Sequence, residues 1–467
     1  MTTLSLAGML PGPPGNPGQT RPTPPRTPAA RGGDRPSVAV GPCRSDRAAA
    51  APQGDGVRLR AMGRARHSGG IALLCGLVSA VWACSPAPDL PAAPPGPGSG
   101  QPFLAPDGTG VWMSWLEPAP AGNRLAVSYF EGSWTDPVTV AEGEGFFVNW
   151  ADFPSIRVVG DRLVAHWLWR RGPATYDYGV RLAWSDDGGA TWSAPWTPHE
   201  DETPTEHGFV SVFADGDVAW AAWLDGRAMV EPSGPMSLRA RSLPPGGTAG
   251  PADAGPENLL DARACECCQT SAVVAAGTPV VVFRDRAEGE VRDIHVTRRL
   301  EDGWTESSPV HEDGWVIGGC PVNGPSAAAL DELVAVAWFT APDGEAQVNV
   351  AFSEDAAASF GPPARLDAGR PLGRVDVVLL DDGSALVTWL EEEGAGTEAS
   401  ILSRRVTPDG VMGEPRRLAS TGGGRASGFP RIARLADERV LLAWTDPRGT
   451  GRVRVSVFAL DGWEAPS

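Results

Sequence analysis

Short apolar runs broken by Gly, Pro and Asp recur along this chain, and one kind carries a marker: a few apolar residues, an aromatic, then often an acid. It stands as Ser-Trp-Leu-Glu at Trp115, His-Trp-Leu-Trp at Trp167, Ala-Trp-Leu-Asp at Trp223, Val-Phe-Arg-Asp at Phe283, Ala-Trp-Phe-Thr at Trp338, Thr-Trp-Leu-Glu at Trp389 and Ala-Trp-Thr-Asp at Trp444. Consecutive aromatics lie 52, 56, 60, 55, 51 and 55 residues apart. A second marker keeps step: twelve residues earlier stands Ser155, Ser211, Ser271 or Ser326, and thirteen earlier stand Asp376 and Arg431, each opening a short apolar run. Each unit therefore predicts a first strand, a turn, a second strand ending in the aromatic, and two more strands, as in Val180–Ser185, Val348–Ser353 and Val453–Leu460. Four short strands repeated at this period predict an all-β fold, a β-propeller of seven blades whose aromatics pack blade against blade. Six blades would follow if the first unit, Phe103 to Ala141, fell short of a full blade.

The pattern stops short of the N-terminus. Residues 1–61 are mostly Pro, Gly, Arg and Ala without apolar periodicity, as in a disordered leader or a stretch upstream of the true start at Met62. Residues 62–83 have the parts of an export signal: Arg64 and Arg66, an apolar run from Ile71 to Ala83, and a small residue before Cys84. The run is too short to span a bilayer, which takes roughly 20 residues, so cleavage is expected. Val81-Trp82-Ala83-Cys84 resembles the lipobox of bacterial lipoproteins, which implies lipidation at Cys84 and a cell-envelope or periplasmic protein held to the membrane by that anchor alone. An ordinary secretory signal is the alternative. Residues 84–101, rich in Pro, Gly and Ala, suit a tether, which leaves 102–467 as the propeller domain.

Charge narrows the partners. Ten of the 39 basic and three of the 57 acidic side chains precede residue 84, so the mature part carries a net charge near −25. Such a surface repels phosphate backbones, and no nucleic-acid partner is expected. Every basic residue is Arg, which reads as the codon bias of a GC-rich genome.

Ser185-Asp-Asp-Gly-Gly-Ala-Thr-Trp192 matches the Asp box, Ser-x-Asp-x-Gly-x-Thr-Trp, and Ser353-Glu-Asp-Ala-Ala-Ala-Ser-Phe360 is a degenerate copy. On these motifs the chain resembles the sialidase-like (BNR-repeat) propellers, in which the box is a turn between the outer two strands, away from the active site. The resemblance implies a sialidase chemistry of Tyr nucleophile, Glu partner, Asp acid/base and three Arg. The tyrosines here, Tyr129, Tyr176 and Tyr178, all fall in the first two units, whereas the family's nucleophile comes late; Phe153-Pro-Ser-Ile-Arg157 is only loosely similar to the motif carrying the first Arg. No catalytic residue is carried over.

Propeller geometry points to a site without the family. The segments leading into each first strand gather around the axis on one face, and they hold Asn149, Asp152, His207, Cys265, Cys267, Cys268, Cys320, Asn323, Arg374, Asp376, Arg425 and Arg431. Arg284, Arg374, Arg425 and Arg431, with Asp152, Asp293 and Asp376 as partners, form either inter-blade ion pairs or a clamp for an anionic or sugar-like ligand. The four cysteines open successive blades, so their sulfurs are expected within about 10 Å of one another. Outside the cytoplasm they predict disulfides running from the triplet to Cys320; the rival is a thiolate site for copper or zinc with His207 nearby. The expected function is an exported, lipid-anchored monomer that binds a glycan or small anion at the axial face. The alternatives are an exo-sialidase-type glycoside hydrolase and a metal-binding propeller.

Overall fold

The computed structural model describes residues 93–463 apart from 232, 247–250, 368 and 395. The leader, the signal segment, Cys84 and the first part of the tether lie outside the described residues. Seven antiparallel sheets follow one another in chain order. Their inner strands are Gly100–Pro106, Ser155–Val159, His207–Asp215, Ser271–Ala275, Ser326–Leu330, Pro371–Leu379 and Arg431–Arg434. Each inner strand packs on the next and the seventh packs on the first, closing a ring. The protein is a seven-bladed β-propeller, and the first unit is a full four-stranded blade, which disposes of the six-bladed alternative.

Four strands per blade needs correction. Blades 2 and 7 have three strands, and the outer edge of blade 4 is split into the two-residue strands Gly303–Trp304 and Ser308–Pro309. In blade 2 the outer segment makes only a single bridge, Leu182 with Trp196, because Pro195 and Pro198 flank it and have no N–H to extend the ladder.

All seven marker aromatics occupy the second strand of their blades and are buried. Residues i and i+2 of a strand share a face, which explains the acid that tends to follow. Trp223 donates its indole N–H to Asp225 at 2.9 Å, and Trp389 donates to Glu391 at 2.7 Å. In blade 1 the equivalent Glu117 instead pairs with Arg124, and in blade 7 Asp446 pairs with Arg448.

The two Asp boxes form one hydrogen-bond network twice. Thr191 N and Oγ1 donate to Asp187 at 2.8 and 2.6 Å, and Gly189 N donates to Ser185 Oγ at 2.8 Å. In the degenerate copy Ser359 N and Oγ donate to Asp355 at 2.9 and 2.6 Å, and Ala357 N donates to Ser353 Oγ at 2.9 Å. The difference is backbone strain: Ala356 and Ala357 take φ of 54° and 64° where Gly188 and Gly189 hold 67° and 84°. A left-handed alanine costs about 1–2 kcal/mol that glycine does not.

Ring closure moves the expected boundary at residue 102 back toward the N-terminus. Gly98 N donates to Gly451 O at 2.7 Å, Val453 N to Ser99 Oγ at 2.9 Å, and Gln101 N to Thr445 Oγ1 at 3.1 Å. The end of the supposed tether is thus the latch between blades 1 and 7. Three inner strands, in blades 1, 3 and 6, begin with a bulge, at Gly100/Phe103, Gly208/Ser211 and Gly373/Asp376. Each bulge holds a non-glycine residue at positive φ: Gln101 at 53°, Phe209 at 51° and Arg374 at 56°. Bulges re-aim side chains, and these sit where the chain turns onto the axis.

Candidate functional site

The axis holds a cavity of about 410 Å³ lined by all seven inner strands. The second sequence marker lies on its wall. Ser155, Ser211, Ser271, Ser326, Asp376 and Arg431 all line the cavity, and Phe103, twelve residues before Trp115, completes the set in blade 1. The in-step polar position therefore faces the axis, while the in-step aromatic faces the neighbouring blade.

Several predicted residues clasp one blade to the next. Asp152 Oδ1 accepts Phe209 N of blade 3 at 2.7 Å, Asn323 Oδ1 accepts Arg374 N of blade 6 at 2.8 Å, and Asp376 Oδ2 accepts Ile432 N of blade 7 at 2.9 Å. Gln269, unmarked in the sequence, does the same for blade 5, with Oε1 accepting Gly324 N at 2.9 Å. A buried N–H left without an acceptor costs about 1–3 kcal/mol, so these clasps are structural in the first instance.

Aromatic rings and guanidinium groups alternate at the mouth. Arg374 lies 4.8 Å from the Trp150 ring and Arg425 6.0 Å from it; Trp150 stacks on Phe429 at 6.0 Å. Arg431 sits 4.5 Å from Phe153 and 5.1 Å from Phe103, and Arg157 sits 4.9 Å from Phe103. Asn149 accepts Ala151 N at 2.9 Å and so shapes the turn that carries Trp150. Burial, and then Arg431, lower Arg157 to about 10; burial, and then Arg425, lower Arg374 to about 10. Both remain cations at neutral pH. Arg431 forms an ion pair with Asp376 at 3.3 Å, while its buried Nε has no partner.

On the blade 2 side, Tyr178 donates to Asp152 Oδ2 at 2.9 Å and also contacts Glu206. Burial, reinforced by Glu206, pushes Asp152 up to about 8; burial pushes Glu206 to about 7, and Glu266 adds to it. Tyr178 is fully buried, stacked on Phe147 at 3.9 Å, and raised well above its ordinary range by burial and the two acids. Tyr176 is 60% exposed. Among the described residues no arginine hydrogen-bonds to Tyr178.

The other predicted residues go elsewhere. Arg284 is buried and donates to the carbonyls of Asn323, Arg292 and Phe339, and Asp293 accepts Gly314 N and Trp315 N. Both hold loops between blades, not the mouth. His207 is buried, stacked on His199 at 4.2 Å and 3.0 Å from Asp201; burial keeps both imidazoles below their ordinary range. Its acidic neighbours Asp201 and Asp225 could hold a cation with it, but Arg227 grips Asp225 with two hydrogen bonds of 2.7 Å.

The cysteines meet as the repeat alignment requires. A disulfide joins Cys267 to Cys320, and Cys265 and Cys268 remain buried thiols with sulfurs 3.3 Å apart. No cofactor is established. Two thiols, with Glu266 already paired to Arg286 and Arg292, do not make the four-ligand set of a structural zinc, and His207 is grouped with acids instead of sulfurs.

No family model matches this chain, nor does any curated protein. Solved structures do. A polysaccharide lyase of family PL25, an ulvan lyase, matches at TM-score 0.51 and 10% identity, over 79% of this chain and 95% of that one. The fold is that of a β-propeller. A Dyadobacter fermentans protein of unknown function (TM-score 0.47, 14% identity, 79% and 96% coverage) and the Hadza microbial sialidase Hz136 (TM-score 0.44, 12% identity, 76% and 77% coverage) are further neighbours. At these identities the likeness is one of fold, and a propeller is the fold that the Asp box predicted. The sequence reading left Gln269 unmarked and gave Arg157, Tyr178 and Glu206 no place in the site; Arg157 and Gln269 line the cavity while Tyr178 and Glu206 stand behind Asp152, which only the ring decides.

Proposed function

We propose that this protein is an exported, lipid-anchored propeller that binds an anionic ligand, a carboxylated sugar, in its axial cavity. The observation that carries the reading is a contrast of charge. The chain is strongly acidic, yet the ionisable residues on the cavity wall are Arg157, Arg431, Asp376 and Asp152, and the last is held largely protonated at neutral pH. Two guanidinium groups against one carboxylate leave a net positive pocket, and guanidinium recognises carboxylates by paired hydrogen bonds. The rings of Phe103, Phe153 and Phe429 supply apolar surface for a sugar face. Export is supported by the signal-like segment and by the Cys267–Cys320 bridge, since disulfides persist in oxidising compartments.

Binding is favoured over hydrolysis by a tyrosine nucleophile because Tyr178 is sealed beneath Phe147 and absent from the cavity wall. Calorimetric titration of the full chain with N-acetylneuraminate, glucuronate and neutral galactose tests the reading. Acidic sugars should bind, with affinity lowered at least tenfold in Arg431→Gln and Arg157→Gln. Equal binding of galactose would overturn it, and turnover of an aryl sialoside would replace it with the hydrolase reading.

A further inference from the structure

The four sulfurs are graded from surface to interior. Cys320 is exposed and Cys267 half-buried, whereas Cys265 and Cys268 are 1% and 2% exposed. Cys265 Sγ lies within 4.8 Å of Cys267 Sγ and also within 4.8 Å of Cys320 Sγ, so one thiol faces both ends of the disulfide. It is also the thiol set up to be a nucleophile. Arg292 Nη1 donates to Cys265 Sγ at 3.2 Å, and Cys268 stands 3.3 Å away on the other side. The Cys268 hydrogen bond, with help from the Arg284 and Arg292 cations, lowers the Cys265 thiol to about 6, while burial raises Cys268, which keeps its proton. A thiolate, not a thiol, attacks a disulfide. Around Cys320 the chain is open: a Cβ added at Gly318 or Gly319 would meet nothing within 4 Å.

We propose that these four cysteines form a thiol–disulfide exchange site that passes two electrons from the buried Cys265/Cys268 pair, through the Cys267–Cys320 bond, to an external disulfide. The Cys265 thiolate attacks Cys320 Sγ; the Cys265–Cys320 bond forms, the Cys267–Cys320 bond breaks, and Cys267 leaves as a thiolate. Cys268 passes its proton to Cys267 and attacks Cys265 Sγ, closing Cys265–Cys268 and releasing Cys320 as a thiolate. Up to this point no electron enters or leaves the protein. The exposed Cys320 thiolate then attacks a disulfide RS–SR from the surroundings, expelling RS⁻. Cys267 resolves the mixed disulfide, re-forming Cys267–Cys320 and expelling the second RS⁻, which takes up the Cys267 proton. The substrate class is a small-molecule or protein disulfide, reduced to two thiols, and the chain ends with two disulfides. A direct reaction of the buried pair is blocked by its burial, which is why the surface bond must act as the relay.

Peptide mapping of the full chain tests this. After exposure to oxidised glutathione, acid quenching and alkylation, cleavage at arginine leaves Cys265, Cys267 and Cys268 in fragment 264–284 and Cys320 in fragment 300–365. The expected result is conversion of Cys265 and Cys268 from alkylated thiols to a disulfide, with Cys267–Cys320 retained. Cys320→Ser should slow that conversion at least tenfold. Cys268→Ser, which leaves the native bridge to hold the loops, should accumulate the trapped Cys265–Cys320 link. Three results would overturn the proposal: Cys265 and Cys268 staying reduced in the folded wild type, no Cys265–Cys320 link in Cys268→Ser, or stoichiometric copper or zinc shielding both thiols from alkylation.

Discussion

Asp152 and Asp376 are one device in two places, with different chemistry around it. Each lies on the cavity wall and accepts a backbone N–H from the following blade. Asp376 also takes a hydrogen bond from Ser326 at 2.8 Å and an ion pair from Arg431, so its negative charge has a cation beside it. Asp152 has instead the Tyr178 hydroxyl and, beyond it, Glu206. With burial and a second acid nearby, its carboxyl is pushed up to about 8. The comparison teaches that a propeller can repeat a structural clasp around its ring and still place a charge at one position and a proton store at another. The neighbours on adjacent blades decide which.

The largest effect is expected from breaking the charged version. Asp376→Ala removes the acceptor for Ile432 N and leaves the half-buried Arg431 without its partner. Since loss of one half of a fully buried pair costs about 3–5 kcal/mol, the loss here should approach about 3 kcal/mol. Urea denaturation should show that loss. Asp376→Asn, which keeps an acceptor for the N–H, should lose less.

The protonated version should appear as pH dependence. An unfolded aspartate titrates near 4 and the folded Asp152 near 8, so the folded chain holds an extra proton in between. The stability this gives is full below about pH 4 and is lost as the pH rises through 8, by at most about 1.4 kcal/mol per pH unit; Glu206 adds a similar loss that ends near pH 7. Thermal midpoints should therefore fall between pH 5 and 8. Asp152→Asn, the neutral mimic, should flatten the decline above pH 7 and be the more stable protein at pH 8. A wild-type profile flat over this range would show that the two acids are ionised.

The smallest effect belongs to Glu206→Gln. Removing that charge should lower the Asp152 titration from about 8 but leave it above the ordinary range, because burial is the larger cause. Carboxyl carbon NMR reads the shift, and below about pH 5, where the fold holds both acids protonated, stability should change by about 1 kcal/mol or less.

The blades were more legible than the cavity, for a local reason. Trp115 through Trp444 and the serine, Asp376 and Arg431 markers repeat at fixed offsets because each blade solves the same packing problem with its neighbours. The degenerate box at Ser353 was also readable, since Asp355 keeps the ligating geometry even though alanines replace the glycines. The candidate site was legible in part. Arg374 and Arg425 meet over Trp150, and Arg431 pairs with Asp376 on the cavity wall that Asp152 shares. Arg284 and Asp293 looked equivalent to them in the sequence but turn into inter-blade loops, and Arg157 stood inside a strand with nothing to mark its inward direction.

The sequence by itself determined the run of repeated β units, the position of each second-strand aromatic, the turns of the two Asp boxes and the meeting of the four cysteines, because each follows from periodicity and chain order. That the first unit is a full seventh blade came from the structure. Only the tertiary structure decided which cysteine pair is bonded, which acid sits beside a cation and which beside another acid, and which charged side chains line the cavity. Those properties depend on distances of a few ångströms between residues some 50 positions apart, set by bulges and by the exact turn of each inner strand about the axis. A repeat fixes where a residue stands in its own blade; its charge and its chemistry come from the blade next door.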